Sequence, residues 1–193
     1  MIPLWLKLGY TVVAAAIVIV YARKYKLQNF LWFSDIALIT TVPALWLESS
    51  FLASVMAIGI LLPELYWNIG FFTRLLTGRR IGELTDYMFE RKIPLYLRTL
   101  SLFHVFLPIL LLWMISRLGY SPNALYAQSL LAILILPLTY GLSDGSENIN
   151  WVYGLREWPQ KRLPPLVYLG ILMAAFPGLI YLPTHLLLKE FFG

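Results

Sequence analysis

Asp35, Glu64, Arg98 and His104 are ionisable residues set inside long apolar stretches of this 193-residue chain. A charge at the centre of a bilayer costs about 3 kcal/mol or more, so such groups turn inward and mark function. The ordinary pKa of an imidazole lies near neutrality, which suits His104 to proton transfer as a general base or acid. Glu64 and Asn68 are four residues apart and share a helix face. Arg98, Ser101 and His104, each three apart, form a polar stripe. Pro108, one turn beyond His104, lacks the amide that would bond the His104 carbonyl. Glu64 and Arg98 are expected within salt-bridge or one-water reach.

The chemistry these residues suggest is proton transfer and nucleophilic attack. His104 would be the base, Asp35 or Glu64 would orient or charge it, and Arg98 and Asn148 would hold a polar headgroup or oxyanion. Asn68 and Ser101 complete the polar set as binding residues. Ser34, Ser101, Thr40 and Thr41 are the hydroxyls within range to serve as nucleophile. The chain has no cysteine, which excludes thiolate metal sites, disulfides and Cys nucleophiles. Only two histidines exist, and His185 falls near the far end of the last apolar stretch, so a three-histidine zinc site is excluded. A mixed site of His104, Asp35 and Glu64 stays open, but no resident metal or cofactor is expected. No Gly-x-Ser-x-Gly elbow or Walker-type loop is present.

The composition sets the solvent in which this chemistry occurs. Hydrophobic residues make up 60% of the chain and charged residues 13%, against about 25% charged in a soluble domain. Lipid must therefore solvate much of the surface, and the net charge of +5 reads as loop charge rather than a nucleic-acid footprint. The expected fold is all-α: one domain, a membrane helical bundle of six spans at 4–22, 30–47, 50–72, 95–116, 124–143 and 165–188. The second span is the shortest and carries Asp35. Prolines 43, 63, 108, 137 and 177 fall at similar depth in spans two to six, which predicts kinks and a bundle splayed on one side.

Six spans place twelve basic residues, from Arg23 to Arg162, on one side and three on the other. The positive-inside bias then puts the basic loops in the cytoplasm and both termini outside, with the plasma (inner) membrane as the expected location. The segment Gly82–Arg91 has helical apolar spacing among charges. It predicts either a short amphipathic helix at the lipid surface or a solvated loop.

The segment Asn148–Gln160 (NINWVYGLREWPQ) resembles the “NY…LREKP” segment of the YwaF-type integral membrane protein family, with Trp158 in place of its Lys. Trp32–Ala37 (WFSDIA) resembles that family's Asp-Ile segment, and His104 falls inside a following span. The resemblance covers about a third of the chain. It implies kinship with a wider group of multi-span lipid acyltransferases and hydrolases that use an intramembrane histidine, with His104, Asp35 and Asn148 as site residues and membrane lipid as partner. It carries no nucleophile onto this cysteine-free chain. The expectation is therefore an intramembrane enzyme of lipid or acyl-lipid. The rival is a small solute or proton carrier lined by the same residues, and a third reading makes them interhelical glue.

Overall fold

Residues Ala53–Ile60 of the third long helix are buried on every side, so this segment is the axis around which the chain is built. Ala53, Ser54, Ala57 and Gly59 keep it slim, and small residues let neighbouring backbones approach in the absence of a hydrophobic drive between helices in lipid. At Gly59 the approach is close enough that an added Cβ would lie 2.6 Å from the Gln128 amide nitrogen.

The computed structural model describes residues 1–155 and 160–193, and those residues contain helices and turns but no strand. In chain order the helices are α1 (Leu4–Lys24), α2 (Phe33–Trp46), α3 (Ser50–Thr77), α4 (Leu95–Leu100), α5 (Phe103–Leu118), α6 (Ala124–Leu142), α7 (Pro165–Ala175) and α8 (Leu182–Phe192). α4 and α5 run on as one rod, Leu95–Leu118, and α7 and α8 as another, Pro165–Phe192. With α1, α3 and α6 these make five helices long and apolar enough to cross a membrane. The sixth, α2, has 14 residues, about 21 Å at 1.5 Å per residue. A 3₁₀ turn at Leu27–Leu31 precedes it and lengthens that wall. Large apolar side chains such as Leu76, Tyr126, Leu134, Leu179 and Phe191 point outward. This is the surface of an integral membrane protein, whose solvent is lipid.

The mid-span prolines stand inside the helices. α2, α3, α5 and α6 continue through theirs. Only at Pro177, among the described residues, does the helix change register, into a π turn at Phe176–Tyr181. A break does occur where none is expected. Between α4 and α5, Ser101 and Leu102 adopt 3₁₀-like dihedrals, and the His104 amide bonds to the Ser101 carbonyl three residues back. This turn re-aims the start of α5 just before His104.

Two short links, Leu47–Ser49 and Gly119–Asn123, form tight hairpins at one end, as the sequence predicts. Ser49 caps α3 by accepting the Leu52 amide, and Glu48 accepts from Lys7 Nζ at 2.8 Å. The longer links carry the basic residues and gather at the opposite end, called the basic end below. Arg156, and with it the end of the segment that resembles the YwaF-type family (Arg156–Pro159), lies outside the described residues.

The link 78–94 is neither of the two forms expected for it. Helix α3 extends to Thr77 and stops at Gly78, whose φ of +73° gives the left-handed cap. The chain then folds back as a strap under the bundle, with one 3₁₀ turn at Asp86–Phe89. Met88 is buried with Trp67 and Phe71, so the apolar face of this segment meets protein instead of lipid. Gly70 allows the fit, since a Cβ there would sit 3.1 Å from the Ile81 carbonyl. Asp86 takes both Arg74 (2.6 Å) and Arg80, and Arg98 donates to the Met88 carbonyl at 3.0 Å.

Candidate functional site

Glu64 and Asn68 stand one turn apart on α3, and both are spent on His104. Both Glu64 carboxylate oxygens approach His104 Nδ1, at 2.8 and 2.9 Å. The Glu64 side chain is 4% exposed and that of His104 15%. Asn68 Nδ2 donates to the His104 carbonyl at 2.8 Å and to the Glu64 carbonyl at 2.8 Å. It thus fills the acceptor that Pro108 leaves without an amide. The imidazole is held flat between aromatic rings, stacked on Trp67 at 4.8 Å and on Phe103 at 4.1 Å. Carboxylate on Nδ1 fixes the tautomer, and a protonated ring would sit against a countercharge. Among the described residues Nε2 has no protein partner, and His104 lines the cavity described next.

That cavity, of about 410 Å³, lies at the basic end between α1, α2, α3, α5 and the strap. Its wall includes Tyr21, Tyr25, Trp32, Asp35, Trp67 and Tyr87. A smaller compartment of about 80 Å³ adjoins it past His104 and Glu64, walled by Phe33, Ile60, Pro63, Trp151 and Phe176. Ser34 and Trp32 line both. Tyr25 and Glu83 are exposed, which sets the mouth of the larger cavity at the basic end.

Asp35 is 4% exposed. It sits in the first turn of α2, where a carboxylate meets the positive end of the helix dipole. Its Oδ2 accepts from Asn29 at 3.0 Å, while its Oδ1 is buried with no partner. Trp67 Nε1 is likewise buried without a full hydrogen bond, its polar neighbour being the Tyr87 hydroxyl. The two orphans, an acceptor and a donor, belong to the same cavity wall, and Asp35 is close enough to interact with the charges of His104 and Glu64. Buried polar atoms are paired as a rule, so this wall carries unmet hydrogen-bonding capacity. Burial pushes the phenol of Tyr87, on the strap, well above its ordinary range, with Ser101 and Trp67 opposing the shift.

The structure thus sets His104, Glu64 and Asp35 on adjoining cavity walls, with Asn68 bonded to the backbone of the first two, and engages Arg98, Ser101 and Asn148 with other groups. Arg98 does not reach Glu64, because its guanidinium is drawn to the strap carbonyl of Met88. Ser101 pairs with the Tyr21 hydroxyl at 2.9 Å. Asn148 is consumed inside its own loop, donating to the Gly154 carbonyl and accepting the Tyr153 amide. Asn68 braces backbone and opens instead onto a lateral apolar groove. Each of the four is bonded within the protein. Ser34 is the one hydroxyl of those named as nucleophile candidates that lines both compartments. Thr41 is fully buried and bonded to the Ala37 carbonyl. No group of three His, Asp or Glu side chains among the described residues is arranged to hold a metal ion. His185 is far from the site by position, near the opposite end of the bundle, where it bonds Tyr120 at 2.5 Å.

Asn150 is the residue that sequence reasoning undervalued. Its Oδ1 accepts the Phe33 amide at 3.2 Å and its Nδ2 donates to the Leu31 carbonyl at 2.8 Å. It caps α2 from 117 residues away, serving the helix start that Trp32 cannot cap. Asn150 and Trp151 hold positive φ angles of 52° and 58° to do so, a conformation that favours Asn. Tyr21 and Tyr25, four apart at the basic end of α1, carried a visible aromatic signal; Asn29 and Asn150 carried none.

Fold and site together define a class: an integral membrane helical bundle with a carboxylate–imidazole pair facing a cavity at its basic end. Comparison with family models, with curated proteins and with solved structures gives no match.

Proposed function

We propose that this protein is an intramembrane acyl-transfer enzyme, a hydrolase or acyltransferase, acting on a lipid-like ester in the cytoplasmic leaflet. The observation that carries the reading is the Glu64–His104 pair, whose free imidazole nitrogen faces a cavity with orphaned polar atoms. In this reading His104 Nε2 takes the proton of an attacking hydroxyl, from water or Ser34, as its oxygen adds to the ester carbonyl. Glu64 stabilises the imidazolium that forms. The Trp67 N–H is available to the developing oxyanion. His104 then returns the proton to the departing alkoxide, giving acid plus alcohol when water is the acceptor.

A carrier would need polar groups continuing to the other side. In the other half of the bundle the fully buried Leu45, Leu111, Met114 and Ile115 stand among the isolated buried polar residues Ser54, Gln128 and Thr184, and this largely apolar filling favours a dead-ended site. The location follows the charge bias: basic end in the cytoplasm, termini outside, in the plasma (inner) membrane. The resemblance of Trp32–Ala37 and His104 to the YwaF-type family agrees with this reading.

The test incubates the purified protein in nanodiscs of mixed lipid extract and follows esters and free fatty acids by mass spectrometry. Wild type should deplete one ester class, and His104→Gln, folded to the same extent, should lose at least 100-fold in rate. Equal rates for the two proteins would reject the acid–base role. Reporter tags near Gly82 and at Gly193 should lie on opposite sides of the membrane, and tags on the same side would reject the topology.

A further inference from the structure

We infer that the 410 Å³ cavity selects a substrate carrying an alkylammonium group, a proposal that rests on reading this cavity as the substrate site. The described lining residues include the acids Asp35 and Glu83, with Glu64 behind His104, and no Lys or Arg; Glu83 at the mouth is paired with Arg80 at 3.6 Å, so Asp35 is the acid left to a ligand. The chain is basic overall and its basic residues crowd this same end, so their absence from the cavity wall sets the cavity's sign apart from its surroundings. Of the cations next to lining residues in sequence, Lys26 pairs with Asp144 and Glu147 and Lys92 with Glu90, while Arg98 bonds the strap.

The remaining wall is aromatic. Tyr21 and Tyr25 meet edge to face at 5.2 Å, and Trp32 and Tyr87 stand in the same wall. Aromatic faces with a carboxylate nearby are the surface that receives ammonium and quaternary ammonium groups, through the ring quadrupole and the countercharge. Trp67 is different. Its two faces are covered by His104 and by Phe71, at 4.8 and 5.0 Å, so it offers the cavity its N–H edge. The buried Oδ1 of Asp35 has no partner, and a cation is the ligand that would satisfy it without the desolvation cost that two facing carboxylates impose on an anion. Phosphate and carboxylate groups find neither an arginine fork nor a lysine here. The cation then rests among Tyr21, Trp32 and Asp35, with the ester toward His104.

The test measures equilibrium binding to the full chain in maltoside micelles by calorimetry. Choline is compared with 3,3-dimethylbutan-1-ol, its neutral isostere, and lysophosphatidylcholine with lysophosphatidylglycerol. Choline should bind saturably and at least tenfold more tightly than the isostere. Tyr25→Leu, at the exposed mouth where folding tolerates it, and Asp35→Asn should each weaken binding about tenfold, while His104→Gln retains it. Binding of lysophosphatidylcholine alone, with the glycerol lipid excluded, supports the same cation site supplied from lipid. Equal affinity for choline and its isostere, or binding of neither choline nor lysophosphatidylcholine, overturns the proposal. That result would leave the acid–base reading to its own turnover test. Choline binding together with unchanged turnover in His104→Gln would do the reverse.

Discussion

His104 Nδ1 lies within 2.9 Å of both carboxylate oxygens of Glu64, across the contact between α3 and α5. The pair therefore ties a buried acid–imidazole contact to helix packing. His104→Ala would leave a buried carboxylate alone and should cost about 3–5 kcal/mol. Glu64→Gln keeps the shape and should cost less, and the double variant should lose less than the sum of the single changes, with a coupling of about 1–3 kcal/mol. Unfolding of the four proteins in mixed micelles measures this. Additive losses would mean that the contact contributes nothing to stability.

The Asn68 amide stands in for the N–H that Pro108 lacks. Asn68→Ala should destabilise by about 1–3 kcal/mol, the cost of an unsatisfied buried carbonyl. Adding Pro108→Ala restores an amide one turn beyond His104 and should recover most of that loss. A double variant less stable than Asn68→Ala would show that the proline is needed for packing and not merely tolerated.

Asp86 holds the strap through Arg74 and Arg80. Asp86→Ala should speed hydrogen exchange of the strap amides, residues 83 to 93, about tenfold, while α3 above Trp67 stays protected. Arg98→Met should act on the same amides by freeing the Met88 carbonyl. Uniform loss of protection across the bundle would instead make the strap part of the global fold.

At the basic end Asp144 accepts the hydroxyl and the amide of Ser146 and then Lys26 Nζ, and these hold its carboxyl down to about 2. Because the folded value is depressed, the stabilisation is present above the ordinary carboxylate range and is lost as pH falls toward about 2. The link between α1 and the loop after α6 should therefore be constant from pH 5 to pH 8 (roughly the range above that titration). The ¹³C shift of the Asp144 carboxyl measures the midpoint, and Ser146→Ala should move it up toward the ordinary value. An unmoved midpoint would assign the shift to Lys26.

Asn150→Gly keeps the positive φ but removes the amide that caps α2. It should cost about 1–2 kcal/mol in stability and loosen Ser34 and Asp35, which sit in that first turn. Asn150→Asp preserves the acceptor for Phe33 and should restore part of the loss. The two variants are compared by thermal unfolding, and equal stability to wild type in Asn150→Gly would deny the cap its role.

The sequence by itself determined the solvent, the helical class, the positions of the rods and the two tight hairpins, because hydropathy and length act locally along the chain. It also marked Asp35, Glu64 and His104, since burying a charge in lipid is costly wherever the helix turns. The tertiary structure decided which charge meets which. Glu64 and Arg98 looked like partners from depth alone, yet depth does not give the rotation of a helix about its axis. The 3₁₀ turn at Ser101 sets that rotation, turning His104 toward Glu64 while Arg98 bonds the strap. The strap was equally beyond local reading. Its apolar spacing suits lipid or protein alike, and only the approach allowed at Gly70, with Trp67 and Phe71 waiting above Met88, chose protein. Asn150 needed a partner 117 residues away. No periodicity signals a cap supplied from another part of the chain.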